Sequence, residues 1–178
     1  MDTKIKGDIA EKAAVLEGLK RGWGVLEPVG DRLPYDLVFD VEGVLVKIQV
    51  KHAWLHNSSG NFIVDTRRTK TNRRKMVRET YSVSDFDFAL VYIENVNIFY
   101  ILPVGVFISY GSGIHFVETD KRQRRPKSAD YRDAWELISQ WAVQGETFAR
   151  SSVKFGEADS RVIPSQVFEA VKLNQRKV

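Results

Sequence analysis

The segment PYDLVFDVEGVLVKIQVK, residues 34–51, decides how the centre of this chain folds. Its two halves alternate apolar and polar residues and meet at Glu42 and Gly43, a pair typical of a two-residue hairpin turn. With a turn of this length the numbers of facing residues sum to 85, which places Asp36 opposite Gln49. The segment therefore predicts two antiparallel strands with a fixed register.

Side chains alternate between the faces of a strand, which divides this hairpin into an apolar and a polar face. The apolar face is expected to be core and consists of Leu37, Phe39, Val41, Val44, Val46, Ile48 and Val50. The polar face brings Asp36, Gln49 and Lys51 to one end of the hairpin. A carboxylate and an amide oxygen there can share a Mg²⁺ ion, and a nearby ammonium can orient water or stabilise charge on a phosphate. A solvated outer face with a diagonal Asp36–Lys51 ion pair is the alternative.

Length and composition favour one folded domain. The 178 residues contain no cysteine, which excludes a disulfide framework, a cysteine nucleophile and a thiolate zinc site. His52 and His56 are four residues apart, but no third ligand accompanies them, so a zinc pair is not favoured. No apolar run approaches the roughly 18 residues of a membrane span and no hydrophobic signal core opens the chain, so we expect a cytoplasmic protein without membrane contact.

The rest of the chain predicts helices and strands around the hairpin. Apolar residues at helical spacing indicate a helix over residues 4–21, and Asp8 with Glu11 at capping-box spacing favours a later start, after Gly7. The other predicted elements are strands over residues 23–29, 35–41, 44–51, 86–93 and 98–104 and helices over residues 129–143 and 165–173. This order predicts a mixed α/β domain in which helices cover a central sheet.

Positive charge is concentrated in two segments. Residues 66–80 carry a balance of +6 and residues 121–127 carry +5 in a chain of net charge +4, so the remainder is −7. Such concentration without acidic partners indicates a polyanion ligand, most often nucleic acid, whereas solvated loops are the alternative. The candidate DNA-contacting residues are Arg67, Arg68, Lys70, Arg73, Arg74, Lys75, Arg78, Lys121, Arg122, Arg124, Arg125 and Lys127.

The order of motifs resembles a known nuclease family. Residues 34–36 (PYD), twelve further residues and residues 49–51 (QVK) are similar to the PD-(D/E)XK signature, with Gln in the usual place of Glu or Asp. KGDIAE near the start, SDFDFALVY after the hairpin and PKSADYRDAWELI resemble the small PD-(D/E)XK homing endonucleases of bacterial group I introns, of the cyanobacterial type. This resemblance covers most of residues 1–145. It implies a restriction-endonuclease-like α/β (α+β) core, with a central mixed sheet and flanking helices.

The resemblance also implies roles for the site residues. Asp36 would be the indispensable metal ligand, the Val50 carbonyl a backbone ligand, and Glu11 would complete the site. Gln49 would ligate the metal or position water, and Lys51 would assist the nucleophile. The implied cofactor is Mg²⁺, with Mn²⁺ as an alternative. Because the Gln49 amide adds no charge, such a site should hold the metal more weakly than one with Asp or Glu there.

These inferences together predict a site-specific, Mg²⁺-dependent homing endonuclease that hydrolyses phosphodiester bonds in double-stranded DNA at an intron insertion site, associated with the nucleoid when bound. Residues 1–150 would form the endonuclease domain with inserted basic loops, and residues 151–178 a tail that belongs to the same domain or makes an oligomer contact. Because one domain has one cleavage centre, cutting both strands implies a dimer or a tetramer. A Holliday-junction resolvase-like nuclease and a non-catalytic DNA-binding module are the alternatives.

Overall fold

The computed structural model of the chain describes residues 2–30, 32–72, 75–119 and 125–152. Contacts divide the chain into two units, residues 1–145 and 146–178, and every element below lies in the first unit except the end of the last helix. The helix predicted over residues 165–173 falls outside the described residues. Within the part of the chain that is described, no helix is long and apolar enough to cross a membrane.

The elements follow the predicted order and include several that the sequence did not indicate. The helices are α1 (Thr3–Lys20), α2 (Val104–Ser109) and α3 (Glu136–Ser152). The strands are β1 (Gly24–Leu26), β2 (Leu37–Val41), β3 (Val44–His52), β4 (Trp54–His56), β5 (Asn61–Asp65), β6 (Arg67–Asn72), β7 (Lys75–Thr80), β8 (Phe88–Ile93), β9 (Ile98–Pro103) and β10 (Gly113–Phe116). They form a central sheet ordered β1-β2-β3-β8-β9, a sheet ordered β10-β5-β4 and a two-stranded sheet of β6 and β7.

The central sheet is mixed, as predicted. β3 pairs antiparallel with β2 and parallel with β8, and β8 pairs antiparallel with β9. Leu37 lies opposite Ile48, which confirms the register derived from the turn. Glu42 has φ 53° and Gly43 has φ 89°. These are the left-handed conformations that a type I′ turn requires at both central positions.

Two buried clusters cover opposite faces of the central sheet. One contains Ala10 and Ala14 of α1 together with Ile48 and Val50 of β3. The other contains residues of α2, β5 and β10, none of which was predicted, packed on β8 and β9. β8 is buried along its whole length because both of its faces are covered. Since Val50 points into the first cluster, its neighbours on β3 project toward the second side of the sheet.

α1 begins earlier than its capping-box pattern predicted, and it packs closely on β2. The Asp2 carboxylate accepts a hydrogen bond from the Lys4 N–H at 3.1 Å, so the cap lies upstream and the predicted start after Gly7 is wrong. Near its other end, a Cβ built on Gly18 would lie 2.7 Å from Cε1 of Phe39. Only glycine permits this distance, which brings the helix onto the sheet.

Two predicted elements have other bounds than the sequence indicated: β1 is shorter, and α3 (Glu136–Ser152) both begins and ends later than the predicted residues 129–143. β1 covers Gly24–Leu26 instead of residues 23–29, because Pro28 cannot donate a ladder hydrogen bond. α3 begins at Glu136 instead of residue 129, because Asp133 is tied to β9. The Asp133 N–H donates to the Phe99 carbonyl at 2.7 Å, and the Asp133 carboxylate accepts from the Phe99 N–H at 2.9 Å.

The first basic segment contains a β-hairpin and is not the predicted loop. β6 and β7 pair antiparallel along their whole length, and we call residues 67–80 the basic hairpin. Lys70 and Lys75 lie in its strands. The predicted contact residues that fall outside the described part of the chain are Arg73, Arg74, Lys121, Arg122 and Arg124.

Candidate active site

The structure brings the predicted side chains of the site into one pocket. Glu11, Asp36, Gln49 and Lys51 line a pocket of about 740 Å³. Glu11 comes from α1, Asp36 lies just ahead of β2, and Gln49 and Lys51 belong to β3, with Val50 between them. Three of the five candidate positions are therefore consecutive in one strand that is paired on both sides.

Asp36 turns its carboxylate back onto β3. Its N–H donates to the Ile48 carbonyl at 2.9 Å, so the regular ladder ends before the predicted facing pair with Gln49. The side chains make that contact instead. Oδ2 of Asp36 accepts a hydrogen bond from the Val50 N–H at 2.7 Å and another from the side-chain amide of Gln49. β3 thus fixes the position of this carboxylate through two adjacent residues.

Gln49 is buried, with 6% of its surface exposed, so this end of the hairpin is not the solvated face of the alternative interpretation. Its side-chain NH₂ donates to Asp36 Oδ2 and, at 3.1 Å, to the Val50 carbonyl. Both partners can only accept when Asp36 is ionised, which fixes the orientation of the amide. An NH₂ group therefore lies between two oxygens of the kind that hard divalent cations prefer.

The Asp36 and Lys51 side chains are both extensively desolvated. Burial raises the pKa of Asp36, although the Val50 N–H and the positive charges of Lys51 and Arg68 oppose the rise. Burial lowers the pKa of Lys51, against the attraction of Asp36 and Asp65. The Lys51 ammonium lies 5.2 Å from the centroid of the Tyr81 ring. A buried acid with a raised pKa next to a buried base with a lowered pKa is typical of a reactive site.

Glu11 adds a second carboxylate to the pocket. Burial raises its pKa, and the negative charges of Asp36 and Asp8 raise it further. Among the described residues, no group of three or more His, Cys, Asp or Glu side chains is placed to hold a metal ion. A cation here would therefore depend on the Gln49 amide oxygen, the Val50 carbonyl and water, in addition to carboxylates. This donor set fits Mg²⁺, which takes few protein ligands.

The two histidines singled out by spacing do not converge. His52 lies at the end of β3 with its Nε2 3.2 Å from Glu94, and His56 contacts Ser59 at 3.0 Å. Their four-residue spacing falls on two different strands and not on a helix, so it does not bring the imidazoles together.

Several pocket residues escaped sequence analysis. Glu27, Asp65 and Tyr81 line the pocket, and Arg67 and Arg68, expected only to touch DNA, line it as well. Glu27 follows β1, Asp65 ends β5, Tyr81 follows β7 and the two arginines begin β6, and their tertiary placement leaves no signal in sequence spacing. Only the two arginines had a signal, which was their positive charge.

Some of the basic residues have acidic partners, contrary to the expectation from local sequence. Asp65 lies 3.1 Å from Nε of Arg67 and 3.3 Å from a guanidinium nitrogen of Arg78. Beyond the basic hairpin, Arg125 pairs with Asp130. Asp65 thereby anchors both strands of the basic hairpin at the end nearest the pocket.

Comparison with known proteins agrees with this geometry. A family model described as PD-(D/E)XK endonuclease matches residues 1–138. The chain belongs to this family. A solved structure of a bacterial homing endonuclease, I-Ssp6803I, is similar to it with 60% sequence identity and a TM-score of 0.78, covering 82% of this chain and 99% of that one. No curated protein sequence matches the chain. This PD-(D/E)XK protein is thus a metal-dependent DNA endonuclease, and its predicted fold class is confirmed.

Proposed function

We propose that this PD-(D/E)XK endonuclease is a homing enzyme that uses Mg²⁺ to cleave double-stranded DNA at an intron insertion site. The observation that carries the proposal is the convergence of the Asp36 carboxylate, the Gln49 amide and the Val50 carbonyl beside Lys51 in one pocket. Its 60% identity to a bacterial homing endonuclease supports the homing activity.

Each pocket residue has a role in this proposal. Bound Mg²⁺ would polarise the scissile phosphate and supply an activated water. Asp36, Gln49, the Val50 carbonyl and Glu11 would hold the ion. Lys51, whose pKa burial lowers, is suited to exchange a proton with the attacking water or to stabilise charge on the phosphate.

Gln49 must change orientation to serve as a ligand. Its NH₂ now faces both Asp36 and the Val50 carbonyl, whereas a cation would require its oxygen. A half-turn of the amide exchanges the two ends without moving the rest of the side chain. The Gln49 amide can therefore donate to these two oxygens or, after the half-turn, present its own oxygen beside them.

The basic hairpin and residues 121–127 would contact the DNA backbone and base edges, since Arg and Lys suit both kinds of contact. Cleavage of both strands requires two centres, so we propose a dimer or a tetramer, acting in the cytoplasm on nucleoid DNA. Residues 1–150 would form the endonuclease domain, and residues 151–178 would belong to it or contribute to the oligomer contact.

Selection of a target from a randomised duplex library, followed by digestion of a plasmid carrying it, tests the proposal. We expect linear product at one site in Mg²⁺, or in Mn²⁺, none in EDTA and none from Asp36→Asn. Cleavage confined to four-way junctions would instead identify a resolvase. Duplex binding without cleavage in any divalent metal would identify a DNA-binding module.

A further inference from the structure

Arg68 belongs to the basic hairpin, but its side chain reaches back to the pocket. Its Nη2 donates to the Leu33 carbonyl at 2.9 Å and to the Arg32 carbonyl at 3.3 Å. These carbonyls lie three and four residues ahead of Asp36. One guanidinium therefore bridges β6 and the segment that delivers the principal carboxylate.

The segment between β1 and β2 has few apolar contacts of its own. Val29 is 95% exposed and Leu33 is 44% exposed. Asp36 is fixed to β3 by its carboxylate, and Tyr35 before it packs on the second cluster. Arg32 and Leu33, further upstream, are exposed and accept hydrogen bonds from Arg68. The Arg68 contacts are thus well placed to set the path of this segment, because Nη2 carries two N–H groups and donates to both carbonyls.

Arg68 also contributes charge to the pocket. Its positive charge lowers the pKa of both Asp36 and Lys51, which requires that it lie near them. Arg67, the preceding residue, also lines the pocket, but its side chain pairs with Asp65. Of these two adjacent arginines, only Arg68 hydrogen-bonds to the segment before Asp36.

We propose that Arg68 is a positioning residue that couples docking of the basic hairpin on DNA to the placement of Asp36 in the metal-binding pocket. The inference rests on the proposed DNA cleavage function. When DNA phosphates hold the basic hairpin in place, Arg68 holds the Arg32 and Leu33 carbonyls. The path of the chain that leads to Asp36 is then fixed as well. Because coupling between two ligands is reciprocal, metal should strengthen DNA binding by the same factor by which DNA strengthens metal binding.

The test compares Arg68→Ala and Arg68→Lys with Arg78→Ala, which removes an equal charge from the neighbouring strand. DNA affinity is measured in EDTA and in saturating Ca²⁺, used as an ion that does not support cleavage, and single-turnover cleavage is measured in Mg²⁺. For the wild type we expect Ca²⁺ to tighten DNA binding by about 10-fold, within the usual range of such coupling. Arg78→Ala should weaken DNA binding in EDTA but keep the Ca²⁺ effect on that binding.

Arg68→Ala should reduce the Ca²⁺ effect to less than about 2-fold and slow single-turnover cleavage by about 10-fold or more. Arg68→Lys keeps the charge, but its ammonium nitrogen is one bond closer to the backbone than Nη2 and falls short of the two carbonyls. It should therefore bind DNA normally in EDTA and still lose most of the Ca²⁺ effect. The inference is overturned if Ca²⁺ tightens DNA binding by either Arg68 variant as much as it does for the wild type. It is also overturned if the wild type cleaves DNA but Ca²⁺ does not tighten its DNA binding. A wild type that cuts no DNA in Mg²⁺ overturns the proposed function itself.

Discussion

Replacing Gln49 by Glu places a carboxylate where the protein now has an NH₂ donor. The NH₂ donates to the Asp36 carboxylate and to the Val50 carbonyl, and the side chain is 6% exposed. Losing a hydrogen bond to a charged acceptor costs about 1.5–3 kcal/mol and losing one to a carbonyl about 1 kcal/mol. We expect Gln49→Glu to lower the free energy of unfolding by about 2–4 kcal/mol near pH 8 without metal. For a chain of this length that corresponds to a melting temperature about 4–16 °C lower.

The pH dependence of this defect has a definite sign. The introduced carboxyl faces Asp36, whose own pKa burial raises, so its folded pKa lies above the value of about 4.3 in an unfolded chain. A group with a raised folded pKa contributes its full stability at low pH and loses it as pH rises through that pKa. The defect should therefore be small near pH 4 and complete near pH 8.

Melting curves of wild type, Gln49→Glu and Gln49→Met, recorded in EDTA and in Mg²⁺, measure the effect. Gln49→Met loses the hydrogen-bond donors without adding a charge. Its melting temperature should therefore lie below that of the wild type by the same amount at every pH between pH 4 and pH 8. Mg²⁺ should restore Gln49→Glu, since the added carboxylate is a ligand, and should not restore Gln49→Met. Equal melting of Gln49→Glu and wild type in EDTA at pH 8 would refute the assigned amide contacts.

Three further predictions follow from the described contacts. Asp36→Asn should abolish plasmid cleavage, and a variant that still cleaves would exclude the metal-binding role of Asp36. Without metal, this variant should also melt at a higher temperature than wild type near pH 7. The reason is that the pKa of Asp36 is raised in the folded protein, so its ionisation lowers the free energy of unfolding above pH ~4. Lys51→Met should keep DNA affinity in Ca²⁺ while single-turnover cleavage falls; loss of affinity alone would make Lys51 a phosphate contact. Gly18→Ala should cost about 1–3 kcal/mol in urea unfolding, because its Cβ would lie 2.7 Å from the Phe39 ring, whereas Gly7→Ala, which meets open space, should stabilise α1 by about 0.5–1 kcal/mol.

The sequence predicted the centre of the fold because the decisive information there is local. The turn at Glu42 and Gly43 and the alternation beside it set the register of β2 and β3, and with it the meeting of Asp36 and Gln49. β8 and β9 were recognisable as apolar runs because both of their faces are covered. Glu11 was selected by family resemblance alone, since no spacing relates α1 to the hairpin.

The elements that sequence analysis misplaced depend on contacts between distant residues. The start of α3 is set by the backbone pairing of Asp133 with Phe99, 34 residues away. The sequence of residues 67–80 does not alternate apolar and polar residues, so it lacks the pattern by which β2 was identified. The contact of Arg68 with the segment before β2 was missed, and Arg68 was assigned to DNA by its charge alone. The segment contributes only backbone carbonyl oxygens to this contact, and every residue type has such an oxygen.

The separation of β6 and β7 from the central sheet has a consequence for how this enzyme could acquire new targets. β3 is hydrogen-bonded on both sides, whereas β6 and β7 form a sheet of their own. Residues of β6 and β7 therefore lie outside the ladders that hold Gln49 and Lys51. A library for retargeting should vary those positions and keep Arg67, Arg68 and Arg78 constant. Under the DNA contacts proposed for the basic hairpin, the recognised sequence would then change while the residues of the pocket stay the same.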